Sequence, residues 1–169
     1  MHILGKILRG IDAFTKLQGY IFAPLCITLI VMVLFDISAR QFGLIIYWGY
    51  DIEWFQYAYI LMLSLGYAVL KDQHVRIDLI TTRYSPRVQA VLMAFSYAVF
   101  VIPLMIIIAI NAWEFSMFAK GINEVTQRPW YCPLWPIKFA VFVGVVLMLP
   151  QCFAELTRNI IFVIKKVKL

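Results

Sequence analysis

Four stretches without a formal charge divide the chain, at residues 17 to 35, 54 to 70, 88 to 113 and 139 to 154. The second holds 17 residues between Glu53 and Lys71, enough at about 1.5 Å per residue to cross most of a hydrocarbon core roughly 30 Å thick. The last is 16 residues long, but Lys138 can snorkel at one end and Glu155 can pair with Arg158 at the other, so its helix extends past both. The pattern predicts an all-α membrane protein with four transmembrane helices, over about residues 18–42, 52–70, 86–119 and 134–160. The third, at roughly 50 Å as one helix, must tilt, kink or protrude, and Pro103 supplies a kink site.

Before the first span, Leu4, Ile7, Leu8, Ile11 and Phe14 recur at helical spacing among Lys6, Arg9, Asp12 and Lys16. Residues 1–16 therefore read as an amphipathic helix lying on the membrane surface. The N-terminus is expected to stay, because the apolar run lacks a small-residue cleavage site and passes straight into Asp36 and Arg40. Pro24 falls near the start of the expected first span, where a proline does little damage. No repeat or linker interrupts the chain, which reads as a single four-helix membrane domain over residues 1–169.

Polar residues along the second span add detail. Glu53, Gln56, Tyr57, Ser64, Tyr67 and Lys71 fall three and four apart or at multiples of that spacing, so one side of this helix is more polar than lipid favours and should pack on protein. At the turn before it, Arg40 has Asp36 as a partner on its own helix and Asp51 or Glu53 across the connection. The connection itself, Leu44 to Trp48 between Gly43 and Gly49, is apolar and aromatic, as suits a loop dipping into the interface or lying against another protein. The other connection on that side, about residues 120–137, places Trp130, Tyr131 and Trp135 among Pro129, Pro133 and Pro136.

Charge sets an orientation. The net charge of +6 would suit nucleic acid in a soluble protein, but 63% of the residues are hydrophobic and the cations are sorted by connection. Eleven lie on one side (Lys6, Arg9, Lys16, Lys71, Arg76, Arg83, Arg87, Arg158, Lys165, Lys166, Lys168) and four on the other (Arg40, Lys120, Arg128, Lys138). The positive-inside rule makes both termini cytoplasmic. All five tryptophans, Trp48, Trp54, Trp113, Trp130 and Trp135, fall toward the opposite side, where indoles anchor among headgroups.

Reactive chemistry is sparse. Cys26, Cys132 and Cys152 are too scattered for a disulfide framework and read as packing residues. No histidine lies in a span to ligate haem, and no metalloprotease or phosphate-loop motif occurs. His74 stands in a charged segment without a nearby second histidine. Glu114 reads as a charge at the end of the third helix. Every Asp, Glu, Lys and Arg can be placed at or beyond a helix end, which disfavours a lone carrier or enzyme.

One pattern points further. Asp36, Arg40 and Gly43, then Trp48, Glu53 and Gly66, then His74, Val75, Arg76 and Asp78 resemble the small membrane subunit, or Q subunit, of tripartite ATP-independent periplasmic (TRAP) transporters. The segment Pro133 to Lys138 is similar to one branch of that family. The resemblance implies a three-part system: an extracytoplasmic substrate-binding protein, a large multi-span membrane subunit that moves organic acids with sodium, and a small subunit bracing it. It implies a place in the bacterial inner membrane, no cofactor in this chain, with sodium held in the large subunit, and no nucleic acid partner. Where the family often has two adjacent acids, this chain has Asp51, Ile52 and Glu53, and the role passes to Glu53. Arg40 and Glu53 would hold the hairpin, the stripe of Tyr57, Ser64 and Tyr67 would serve packing, and His74, Arg76 and Asp78 would order the cytoplasmic connection. The alternatives are a self-associating small carrier or channel, with Glu53 or Glu114 lining the path, and a membrane anchor for a redox enzyme.

Overall fold

The computed structural model describes residues 2–71, 85–127 and 131–165. His74, Arg76, Asp78 and Trp130, all singled out above, lie outside the described residues. Four helical rods run through the rest: α1 (His2–Gln41), α2 (Gly49–Leu70), α3 (Pro86–Gly121) and α4 (Trp135–Lys165). α2 and α4 pack against each other in the middle, α1 flanks α2, and α3 flanks α4. Two ends follow, one basic in sequence and one aromatic; α1 and α3 finish at the aromatic end, where α2 and α4 begin.

The first difference from the sequence reading is at the N-terminus. Residues 1–16 do not form a separate surface helix, because α1 runs unbroken from His2 to Gln41. Its first four turns are a direct extension of the apolar run. Pro24 consequently sits in the middle of a long helix, where its missing N–H leaves the carbonyl four residues back, on Tyr20, without its usual donor.

The turns are set by local chemistry. α1 ends in a Schellman cap: Gly43 adopts φ +74°, its N–H bonds to the Arg40 carbonyl at 3.0 Å, and the Leu44 N–H reaches Ala39 at 3.0 Å. Glycine takes this left-handed conformation without a Cβ penalty. α3 ends the same way, with Asn123 at φ 49°, its N–H on Lys120 and the Glu124 N–H on Ala119. α3 starts with extended Ser85 as its cap and Pro86 in the first turn, where a proline forfeits no bond. Between its halves lies a single π turn, Tyr97–Val101, in which the Ile102 N–H reaches back to Tyr97. That wider turn falls immediately before Pro103, the kink site expected from sequence, whose missing N–H already interrupts the ladder.

Close approach fixes the centre. A Cβ on Gly144 of α4 would run into the Met62 carbonyl of α2, and one on Gly19 of α1 would meet the Tyr67 ring at 2.6 Å. Glycine at 144 lets the α2 and α4 backbones meet as in membrane helix pairs, and glycine at 19 makes room for the Tyr67 ring. The buried core, Val69, Ile102, Met148 and Cys152, joins α2, α3 and α4. Outside it the flanks are open, and Ile27, Ile30, Leu34, Ile106, Ile107 and Ile110 are all more than 40% exposed.

By length and composition, three helices among the described residues suit a membrane crossing: Gly5–Gln41, Pro86–Gly121 and Trp135–Ile164. α2 is not among them. Glu53, Gln56 and four tyrosines interrupt its apolar length.

Candidate functional site

Polar side chains gather at two junctions. At the basic end, α1 meets α4. Thr15, 1% exposed, donates its hydroxyl proton to Gln151 Oε1 at 3.0 Å, and Gln151, 0% exposed, donates from Nε2 to Asp12 Oδ1 at 3.3 Å. The other Asp12 oxygen takes a salt bridge from Arg158 at 2.5 Å, and the same guanidinium holds Glu155 at 2.5 Å. Two carboxylates thus flank one arginine, with both acids less than a quarter exposed. One turn along from Thr15, Gln18 is also buried, against Gly66, and neither of its amide atoms has a hydrogen-bond partner among the described residues.

Sequence reasoning anticipated the Glu155–Arg158 pair and missed the rest. Asp12 and Thr15 had been placed on a membrane-surface helix. A signal was present: Asp12, Thr15 and Gln18 lie at i, i+3 and i+6, and Gln151, Glu155 and Arg158 at i, i+4 and i+7. Two polar stripes of equal length stand on helices that must meet at one end, and stripes of that kind pair.

At the aromatic end lies the hairpin between α1 and α2. Asp36, 5% exposed, is ion-paired with Arg40, one turn on in the same helix, while Arg40 keeps 62% of its side chain exposed. Asp36 Oδ1 abuts Gly49 and has no hydrogen-bond partner. Glu53, one turn beyond Gly49 on α2, likewise buries Oε1 without a partner. The expected Arg40–Glu53 bridge is absent among the described residues, because the local i, i+4 contact with Asp36 engages the guanidinium.

The α2 stripe divides. Gln56 donates Nε2 to the Leu25 carbonyl of α1 at 3.1 Å and also contacts the Thr28 hydroxyl. Tyr67 packs on Gly19, with the Lys71 ammonium 5.8 Å from its ring centre. Ser64 bonds only within its helix, to the Leu61 carbonyl. Tyr57 is more than half exposed. Half of the stripe therefore stitches α2 to α1, and half is left facing outward.

The long connection at the aromatic end is tied down. Val125 and Pro133 form an antiparallel bridge, and the Thr126 N–H reaches the Cys132 carbonyl at 2.8 Å. Burial pushes the Cys132 thiol up from its usual range, with the Asp51 charge adding to the effect. Lys138, expected to snorkel, instead bonds Glu124 at 2.5 Å with its ammonium 3.8 Å from the Phe115 ring centre. Trp113 meets Phe139 in a tilted contact and Phe142 edge to face, with ring centres 6.1 and 5.2 Å away, and Lys120 lies over Trp135 at 5.2 Å. Trp54 meets Phe55 at 5.9 Å, and Trp48 caps α2 with two-fifths of its surface exposed.

Long apolar helices with open flanks, polar contacts made between helices at both ends, and an aromatic collar at one end define a helical membrane protein whose buried polar groups join its own parts. Comparison with family models makes the assignment specific. Residues 29–161 match the DctQ component of the tripartite ATP-independent periplasmic transporters, and the chain belongs to that family, a transporter component rather than an enzyme. A search of curated proteins returned no significant match.

Proposed function

We propose that this chain is the small scaffold subunit of a sodium-coupled, binding-protein-dependent TRAP transporter that imports organic acids across the bacterial inner membrane. It braces a large multi-span subunit that holds the substrate and sodium sites, and an extracytoplasmic binding protein delivers substrate to the pair. α2 crosses the bilayer with the other three helices, sheltered between α1 and α4, and both termini are cytoplasmic, in keeping with the eleven cations expected there.

The observation that carries this reading is a division within one fold. Polar side chains bind helix to helix at the two junctions, whereas α1 and α3 present apolar flanks along most of their length. A scaffold needs that combination, a stiff interior and a wide apolar exterior for lipid and a membrane partner.

The test is co-expression with a large multi-span TRAP subunit from the same genome, followed by gentle solubilisation and purification on a tag carried by the small subunit. The reading expects the large protein to be retained and organic acid uptake in vesicles to require both chains plus the binding protein. Uptake by vesicles containing this chain alone would instead establish the self-associating carrier.

A further inference from the structure

The hairpin between α1 and α2 sets two acceptors against one enclosed space. Asp36, more than nine-tenths buried, gives Oδ2 to Arg40, while its Oδ1 lies over Gly49, 3.1 Å from where a Cβ would stand, and has no hydrogen-bond partner among the described residues. Glu53 follows Gly49 by one helical turn, and a helical side chain leans over the turn N-terminal to its own Cα. The Glu53 carboxylate therefore reaches back over Gly49 toward Asp36, and its Oε1 is likewise enclosed and without a partner among the described residues. Asp36 and Arg40 are the charged groups that act on Glu53. Others near this end are engaged elsewhere: Asp51 acts on Cys132, and Lys138 holds Glu124.

An ionised carboxylate can only accept hydrogen bonds. Two of them set together in an enclosed space lose their water without gaining a donor, and their like charges repel. Arg40 brings one positive charge to the two acids and keeps 62% of its side chain exposed. No ammonium group of a lipid or a partner protein reaches the two orphan oxygens, each of which exposes less than 1 Å². A metal cation needs a shell of oxygen ligands and the room to hold them; a proton needs neither. We propose that Asp36 and Glu53 share one bound proton, carried on Glu53 Oε1 and donated to Asp36 Oδ1. Asp36 already receives the Arg40 guanidinium, which places the proton on the glutamate. A single proton satisfies both orphan oxygens and brings the three side chains to zero net charge. Glu53 then does hold the hairpin, by a carboxyl–carboxylate hydrogen bond to Asp36 in place of a salt bridge to Arg40. The inference rests on the geometry of the hairpin and stands apart from the scaffold reading.

The test is infrared spectroscopy of the purified full chain in detergent at neutral pH, with Tm measured in parallel. The difference spectrum between the unsubstituted chain and Glu53→Gln is expected to contain the C=O stretch of a protonated carboxyl group, moved to lower frequency when the glutamates carry carbon-13 at the side-chain carboxyl. Asp36→Asn, which turns the acceptor into a donor, is expected to abolish that band with Glu53 still in place. Glu53→Gln, whose amide donates to Asp36 as the carboxyl group does, is expected to leave Tm within about 2 °C, whereas Glu53→Leu, which removes the donor, is expected to lower it by roughly 3 °C or more. Absence of the band from the unsubstituted chain overturns the shared proton, and so does a band that survives Asp36→Asn unchanged. A Tm raised by Glu53→Leu means that two ionised acids repel each other across the hairpin, and overturns it as well. If Glu53→Leu does not accumulate, the spectra of the two isosteric variants decide the question.

Discussion

The two polar junctions of this protein are built from similar parts and put together differently. Each has two carboxylates and one arginine. At the basic end the arginine lies between its acids, and the set joins helices at opposite ends of the sequence, Asp12 with Arg158 and Thr15 with Gln151. At the aromatic end Arg40 pairs within its own helix, and a buried oxygen on each of Asp36 and Glu53 is left without a donor. The first arrangement ties the fold together. The second brings uncompensated polarity to a helical hairpin already closed by the Gly43 cap and by Gln56. Similar composition therefore does not imply similar contribution: what matters is whether the cation bridges elements and how much water it keeps.

Mutations should separate the two. Arg158→Met is expected to have the largest effect, because it strands Asp12 and Glu155 in a mostly buried site, a loss of about 3 kcal/mol or more seen as a lower Tm of the purified protein. Gln151→Leu keeps the arginine but leaves Thr15 without its acceptor and Asp12 without one donor, for about 1–2 kcal/mol by the same measurement. Arg40→Gln at the other junction should cost less than Arg158→Met, about 1–2 kcal/mol, because the exposed guanidinium is screened by water while the buried Asp36 loses its cation but keeps an amide donor within reach. Glu53→Gln should be close to neutral, within about 0.5 kcal/mol either way, because no donor is lost with the charge. If Arg40→Gln lowers Tm as far as Arg158→Met, the contrast between the ends is wrong.

The loop near the hairpin offers a smaller test. The Cys132 thiol titrates above its ordinary value, so it holds less thiolate at neutral pH than a free cysteine. Its alkylation by a maleimide should be slower than that of a model thiol and should accelerate as pH rises past the usual thiol range. Asp51→Asn should bring the thiol part of the way back, because burial is the larger cause and the Asp51 charge the lesser. The sign is fixed: a nearby negative charge disfavours the thiolate, and removing it favours it.

Much of the fold was legible because it is written in long-range hydropathy and in strong local signals. Ser85 and Pro86 mark where α3 begins, Gly43 marks where α1 stops, and Pro103 marks where the helix ladder is disturbed. The Asp36–Arg40 pair was legible for the same reason, as an i, i+4 spacing. The α1–α4 junction was not. Its two halves are separated by 136 residues or more, and Asp12 and Thr15 look like the wet side of a surface helix until a second polar stripe is set against them. Lys138 was misjudged on similar grounds: sequence shows a lysine at a helix end, while the folded loop brings Glu124 and Phe115 to it.

The wide turn at Tyr97–Val101 has a bearing on how α3 addresses its surroundings. A π turn accommodates one residue more than a regular helical turn, and each residue advances a helix by about 100°. Removing one residue there would restore an ordinary spiral and swing Trp113 and Glu114 by roughly a quarter revolution relative to Ala90 and its neighbours. The five residues act as a phase setting between the rod's halves. They let both halves keep a small-residue face on α4, Ala90 before the turn and Ala109, Ala112, Ser116 and Ala119 after it.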